Sequence, residues 1–137
     1  MTEKIFPIIE LLQQDQRYKL EAYQFVREAL QYAQEVLSMP AQEAPTGKAA
    51  KTEHHLTGQQ LCEAIRIYAV EQYGYLAQTV LNNWGIYKTG DFGEIVYNLI
   101  RIEEMRKSKQ DRREDFDNQY NFDDAFEPIF HLNAARE

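Results

Sequence analysis

Residues 57–74 read TGQQLCEAIRIYAVEQYG, and this stretch carries the signals of a complete α-helix. Thr57 precedes Gln60 by three residues, which is the spacing of a capping box. Leu56 and Leu61 flank this cap at the spacing of a hydrophobic staple. Apolar residues then repeat at helical spacing and define an inner face: Leu61, Ile65, Tyr68 and Ala69. Gly74 is a natural stop, so the sequence predicts a helix between Thr57 and Gly74.

Two further helices are predicted before this one. The first has an apolar face formed by Ile5, Ile8, Ile9 and Leu12, with Pro7 in its first turn. The second runs from about Tyr18 to Leu37, and its apolar residues are Leu20, Ala22, Tyr23, Val26, Ala29, Leu30, Ala33, Val36 and Leu37. So wide an apolar stripe indicates contact with more than one neighbouring helix.

Two helices are also predicted after it. A short helix ends at Gly85, and its inward residues are Leu76, Ala77, Val80, Leu81 and Trp84. The next begins at Thr89 or Asp91, with Glu94 near its N-terminal dipole, and buries Phe92, Ile95, Val96, Leu99 and Ile100. The sequence therefore predicts one mainly α domain over residues 1–137, a compact bundle of about five helices.

The remaining segments have a different composition. Residues 38–55 read SMPAQEAPTGKAAKTEHH, with two prolines and almost nothing to bury, which predicts a mobile linker. Residues 114–130 form an acidic-aromatic segment, with a last helical turn predicted over Asp124–Leu132. Residues 105–109 and 116–120 predict a small C-terminal β-hairpin, and the alternative is an irregular tail pinned by its aromatic residues.

Composition narrows the class of function. The formal net charge of −7 argues against a general affinity for nucleic acid or anionic lipid, since both bind clustered positive charge. Cys62 is the single cysteine, so the chain cannot form an intrachain disulfide. The sequence has neither a signal-peptide pattern nor an apolar run long enough to span a bilayer. These features predict a cytoplasmic protein with no membrane partner.

Several short motifs resemble functional sites, but each lacks the other residues that its function requires. Asp91-Phe92-Gly93 matches the magnesium-binding triplet of protein kinases, but the other kinase motifs are missing. A calcium loop starting at Asp115 would require Gly and Glu where the chain has Tyr120 and Phe126. The histidines, at positions 54, 55 and 131, have no metal ligand at a suitable spacing. The sequence therefore predicts no catalytic residue, metal site or cofactor, and an enzyme whose site assembles in space stays an open alternative.

Two sets of residues are candidates for binding. The first consists of aromatic residues of the acidic segment: Phe116, Tyr120, Phe122 and Phe126. Aromatic residues on an acidic segment suit a basic, apolar partner surface, so this set predicts a non-enzymatic protein-interaction module that binds a protein partner or itself.

The second set lies in the basic segment 106–113: Arg106, Lys107, Lys109, Arg112 and Arg113. A helix over Asp91–Met105 followed by this segment resembles the recognition helix and wing of winged-helix domains, so nucleic-acid binding is the alternative function. Glu94, Glu103 and Glu104 on that helix would repel phosphates, so nucleic acid is the less favoured partner.

Four blocks of sequence are similar to one protein family. They are Thr57-Gly58, Trp84-Gly85-Ile86, the run TGDFGEIVYNLI at 89–100, and Glu114-Asp115-Phe116 with Tyr120-Asn121-Phe122-Asp123 before Ala125-Phe126. They resemble the uncharacterised Verrucomicrobia–Planctomycetes-restricted family of small bacterial proteins, over roughly residues 18–126 without the linker. The resemblance implies a bacterial cytoplasmic protein and lends no catalytic residue. The chain departs from the expected leucine-rich continuation after Ile100, at RIEEM (101–105), which leaves the end of that helix open.

Overall fold

The fold is mainly α-helical. The computed structural model describes residues 7–37, 56–106 and 112–127. Helices make up 72% of these residues, which contain no strand, and this confirms the predicted fold class. The predicted β-hairpin is not supported, because Phe116 ends a 3₁₀ helix and residues 117–119 form a turn. The rest of its first arm, residues 107–109, and the predicted mobile linker at 38–55 lie outside the described residues.

Five longer helices account for most of the described chain. They are α1 (Pro7–Gln14), α2 (Leu20–Glu35), α3 (Gly58–Tyr73), α4 (Ala77–Asn83) and α5 (Thr89–Arg101). Short 3₁₀ helices cover Gly74–Leu76 and Arg113–Phe116, and a one-turn helix, α6, covers Phe122–Ala125. The prediction of about five helices is confirmed. The final turn predicted over Asp124–Leu132 begins earlier, at Phe122, and ends at Ala125, while residues 128–132 lie outside the described residues.

The capping box at the start of α3 is present. The Thr57 hydroxyl accepts a hydrogen bond from the Gln60 backbone N–H at 3.0 Å, and the Gln60 side chain accepts one from the Thr57 N–H at 2.9 Å. These two bonds satisfy backbone donors that the first turn of a helix leaves without partners. At the other end, Gly74 caps the helix with a φ of 54°.

Helix α2 packs against both α3 and α5. Four small residues on its inner face, Ala22, Val26, Ala29 and Ala33, are 0% exposed and allow the neighbouring helices to approach closely. The wide apolar stripe of α2 therefore contacts two neighbouring helices, as predicted. Val36, however, is 62% exposed, because the helix ends at Glu35 and the stripe no longer faces the core.

Two other predicted faces are rotated. In α1, Leu11 is buried whereas Ile9 is 49% exposed, so the inward face consists of Ile8, Leu11 and Leu12 and does not include Ile9. Leu76, predicted to point inward from α4, is 61% exposed. It belongs to the 3₁₀ turn that precedes α4, and this turn carries its side chain away from the core.

Two close backbone approaches hold the α1–α2 turn and the C-terminal segment against the rest of the fold. Gly85 has a φ of 97°, and a Cβ atom there would lie 2.0 Å from the Arg17 carbonyl oxygen. The turn between α1 and α2 thus lies directly on the turn between α4 and α5, where the Lys19 N–H also donates to the Trp84 carbonyl at 3.2 Å. At the C-terminal side, Phe116 packs against Gly58 and Gly93, on α3 and α5.

Candidate functional site

The four aromatic residues predicted to bind a partner lie in or against the core. Phe116 and Phe122 are 5% exposed and Phe126 is 7% exposed. Tyr120 is half-buried, and its hydroxyl donates a hydrogen bond to the Cys62 carbonyl oxygen at 2.7 Å. The Phe122 and Phe126 rings pack edge to face with their centroids 4.9 Å apart. Rings this buried cannot project into a groove of a partner protein, so the burial does not favour the docking role predicted for these residues.

Of the basic segment, the structure describes Arg106, Arg112 and Arg113. The Arg113 guanidinium lies 3.4 Å from the Glu94 carboxylate and over the Tyr97 ring, 5.0 Å from its centroid. Arg106 and Arg112 line a groove described below, and Lys107 and Lys109 lie outside the described residues. The described part of the chain holds no strand, and residues 107–111 of the predicted wing lie outside it. The winged-helix alternative therefore stays a prediction.

A groove opens between α2, α3 and α5, next to the segment that follows α5. Its cavity volume is about 390 Å³, within the range typical of ligand sites. Its floor is apolar and consists mainly of Leu30, Leu61, Val96, Ile100, Met105 and Phe116. Leu30, Ile100 and Met105 are half-buried, so part of this floor faces solvent. We call these six residues the groove floor.

Charged residues border the groove floor. Arg27 from α2, Arg106 after α5 and Arg112 before the second 3₁₀ helix form an arginine rim. Glu104 is the one carboxylate among the described residues that line the groove, and it pairs with Arg27 at 3.0 Å. Among the described residues that line the groove, three arginines therefore stand beside one carboxylate, in a chain whose formal net charge is −7.

The end of α5 shapes one side of this groove. Glu103 adopts a left-handed conformation with a φ of 65°. The Glu103 N–H donates to the Ile100 carbonyl, and the Glu104 N–H donates to the Leu99 carbonyl at 2.8 Å. This pattern is a Schellman-type helix end, usually made with glycine. It ends α5 at Arg101 and leaves Glu104, Met105 and Arg106 lining the groove.

A partly buried polar cluster connects α5 to the α1–α2 turn. The Asn98 side-chain amide donates to the Asp15 carboxylate at 3.0 Å and to the Tyr23 hydroxyl at 3.1 Å. Arg17 donates to Asp15 at 2.7 Å through its guanidinium. Hydrogen bonds from Arg17, and to a lesser extent from Asn98, hold the pKa of Asp15 well below its usual range. Asp15 therefore stays ionised at neutral pH and has no proton to donate.

Asp91 organises the start of α5. Its carboxylate accepts the backbone N–H groups of Tyr87 at 2.8 Å and Lys88 at 3.2 Å, just before the helix begins. The same carboxylate accepts the Tyr18 hydroxyl at 2.6 Å. Burial, and then the bond to Asp91, raise the pKa of Tyr18 far above its usual value. These contacts give Asp91 a structural role in joining α5 to the α1–α2 turn.

A second cleft, more polar and more open, lies between α4 and the C-terminal segment. Its cavity volume is about 540 Å³, and its lining includes Gln78, Asn82, Tyr87 and Asp123. The Gln78 amide donates to the Asp123 carboxylate at 3.1 Å. The Asn82 side-chain oxygen is buried, and no described residue donates a hydrogen bond to it.

Nucleophilic and metal chemistry find little support in the geometry. The Cys62 side chain is fully buried, and burial raises the pKa of its thiol well above the usual value, which disfavours the reactive thiolate. Within residues 7–37, 56–106 and 112–127, no three His, Cys, Asp or Glu side chains come together to hold a metal ion.

In the same ranges, no helix is both long and apolar enough to cross a bilayer.

These features define a mainly helical domain with a partly open apolar groove. Compared with protein-family models, curated proteins and solved structures, the chain matches none. The resemblance to the Verrucomicrobia–Planctomycetes family therefore stays a prediction. Sequence reasoning did not find the groove, because its residues come from four separate segments. Its one sequence signal was the breadth of the apolar stripe on α2, to which Leu30 belongs.

Proposed function

We propose that this chain is a non-enzymatic protein-interaction module that binds an apolar segment of a partner protein in the groove between α2, α3 and α5. The observation that supports this proposal is the groove floor, an apolar surface that the helices leave partly open. Burying such a surface against a partner removes apolar area from water and contributes about 25 cal/mol per Å². Partly exposed apolar clefts rimmed by polar residues commonly serve as binding sites.

The chemistry of the groove favours binding over catalysis. The groups with strongly shifted pKa values, such as Asp15, Cys62 and Tyr120, lie outside the groove lining. Glu104 is engaged with Arg27, so the described lining offers no free carboxylate as a general base. An active site normally brings a perturbed titratable group into its cleft.

Binding of a neutral amphipathic helical peptide, with Leu at i, i+3 and i+7, tests the proposal. Fluorescence anisotropy of the labelled peptide would measure the affinity of the full chain. In Leu30→Arg a charge enters the groove floor, and we expect the affinity to fall by about tenfold or more. Leu20→Arg is the matched control, because Leu20 begins the same helix outside the groove lining. It should bind as the wild type does.

A second variant separates loss of binding from loss of folding. Leu30→Ala keeps the groove uncharged and removes only part of its floor, so a severalfold loss of affinity is expected. Urea unfolding of each variant would establish that it is folded at the temperature of the binding assay. Absence of peptide binding by the wild type would overturn the proposal, as would equal losses in Leu30→Arg and Leu20→Arg. Sedimentation of the chain alone would show whether a second copy occupies the groove.

A further inference from the structure

We infer that the partner segment is an acidic amphipathic helix, whose carboxylates pair with the arginine rim while its apolar stripe covers the groove floor. This inference rests on the proposed function and names the chemistry of the partner. The groove shape alone would accept any apolar segment. The charges around the groove are what favour an acidic one.

The arginine rim opposes the charge of the rest of the molecule. Arg27 comes from α2, whereas Arg106 and Arg112 come from the segments that follow α5, so positive charge reaches the groove from different borders. In a chain with a formal net charge of −7, three arginines around one apolar floor are a local exception. Complementary charge at an interface contributes mainly to specificity and to the rate of association.

Glu104 shows that a carboxylate fits at this border. Its side chain pairs with Arg27 at 3.0 Å, and both side chains are partly exposed, at 37% and 53%. A surface ion pair of this kind contributes about 0–1 kcal/mol, so a carboxylate of the partner can replace Glu104 at little cost. Glu104 is then an internal competitor for the site that the partner's acid would occupy.

The walls of the groove favour a helical partner over an extended one. An extended peptide usually binds by adding a strand to an exposed sheet edge, and the described part of the chain has no sheet. A groove between helices instead accepts the apolar stripe of another helix, with anchors at i, i+3 or i+4, and i+7. The apolar floor also distinguishes this site from one for nucleic acid, whose backbone would meet apolar side chains and Glu104.

The test compares two helical peptides that share one apolar stripe and differ only in flanking charge, glutamate in one and lysine in the other. We expect the glutamate peptide to bind about tenfold more tightly at low salt, with the difference narrowing at high salt as the charges are screened. Arg112→Glu should reduce that preference to about threefold or less. Lys19→Glu changes the net charge equally at an exposed residue outside the groove lining and should leave the preference intact.

Glu104→Gln provides an independent readout. Because it removes the internal competitor of Arg27, this variant should bind the glutamate peptide about two- to fivefold more tightly than the wild type. It should change the affinity for the neutral peptide little. Weaker binding of the glutamate peptide by Glu104→Gln would contradict the assigned competition.

The remaining outcomes separate the two proposals. Equal affinity for the glutamate and lysine peptides would overturn the acidic partner while leaving the interaction module in place. If no peptide binds, the proposed function fails as well. Binding of laurate, an anionic amphiphile, in the absence of peptide binding would reassign the groove to a small ligand. Salt-sensitive binding of duplex DNA that Arg112→Glu abolishes would reassign the rim to nucleic acid.

Discussion

The Phe116 side chain packs directly onto the backbone of Gly93 in α5, where a Cβ atom would lie 3.0 Å from the Phe116 Cβ and 3.1 Å from its ring. Gly58 on α3 also lies against this ring, with its hypothetical Cβ 3.1 Å from the Phe116 Cδ1. Gly58, Gly93 and Phe116 each belong to one of the sequence blocks at 57–58, 89–100 and 114–116, and the structure shows that these blocks meet in one packing contact. They bring α3, α5 and the C-terminal segment together at one point.

Gly93→Ala should destabilise the fold by about 1–3 kcal/mol, because the added methyl group overpacks the contact with Phe116. Gly90→Ala is the matched control on the same helix. Its Cβ would lie 3.1 Å from the Asp117 carboxylate oxygen and 3.9 Å from the Lys88 Cε, and both of these flexible side chains can move away. Since alanine favours helix more than glycine does, Gly90→Ala should be neutral or stabilising in urea unfolding. Equal effects of the two substitutions would contradict the packing role of Gly93.

Gly85→Ala should lower the free energy of unfolding by about 3 kcal/mol or more, which exceeds the effect of most single substitutions. The new methyl carbon would lie 2.0 Å from the Arg17 carbonyl oxygen, and the backbone φ of 97° also disfavours alanine. Gly74→Ala isolates the backbone contribution, because φ is 54° there and no atom lies within 4 Å of the added carbon. We expect Gly74→Ala to lower the free energy of unfolding by about 1–3 kcal/mol, measured by urea or thermal unfolding. A smaller loss in Gly85→Ala than in Gly74→Ala would contradict the close approach to Arg17.

Glu103→Gly should stabilise the fold by about 1 kcal/mol, because glycine adopts the left-handed conformation of this helix end without a Cβ clash. Glu103→Ala removes the carboxylate and keeps the strained backbone, so it should change the free energy of unfolding little. A shift of the urea midpoint measures both effects. If the alanine variant is stabilised as much as the glycine variant, the cause is the charge of Glu103 and not its conformation.

Acid should weaken the fold through Asp15. Its pKa is lowered in the folded state, so its contribution to stability is fully present above the unfolded value near 3.8 and is lost as the pH falls from there through the lower folded pKa. Urea unfolding between about pH 5 and pH 2 should show this loss in the wild type. Asp15→Asn cannot titrate at this position, and its stability should fall less steeply over the same range. Equal slopes in the two proteins would contradict the role of Asp15.

Cys62 should resist alkylation in the folded protein. Its side chain is fully buried, and burial raises the pKa of the thiol, so iodoacetamide should modify it only after local or global opening. Tyr120→Phe removes the hydrogen bond to the Cys62 carbonyl, worth about 1 kcal/mol, and should accelerate modification about fivefold. Mass spectrometry of the quenched reaction measures both rates. Rapid modification of the folded wild type would contradict the burial of this thiol.

The helices could be predicted because their signals are local. The capping box at Thr57, the stop at Gly74 and the apolar repeat of α2 each depend on residues close in the sequence, and these predictions agree with the structure. The facing of Ile9 and Val36 depended on where a helix lies or ends, and the pattern alone predicted it wrongly. The end of α5 could not be predicted from a glycine, because Glu103 occupies the left-handed position where glycine is usual.

The candidate site was beyond local reasoning. The groove combines residues of α2, α3, α5 and the segment around Arg112, and only the folded chain brings these together. Phe116 illustrates the difficulty, because an aromatic residue in an acidic segment suggested an exposed docking residue. Its place between Gly58 and Gly93 makes it a core residue, and the glycines that create this space lie far from it in the sequence.

The approach of Gly85 to Arg17 and that of Phe116 to Gly58 also bear on how the chain folds. Each contact joins residues that are more than fifty positions apart in the sequence. Native contacts of this kind raise the contact order, and a high contact order slows folding relative to bundles held by local contacts. We therefore expect the helices to form quickly and the joining of these distant segments to limit the folding rate.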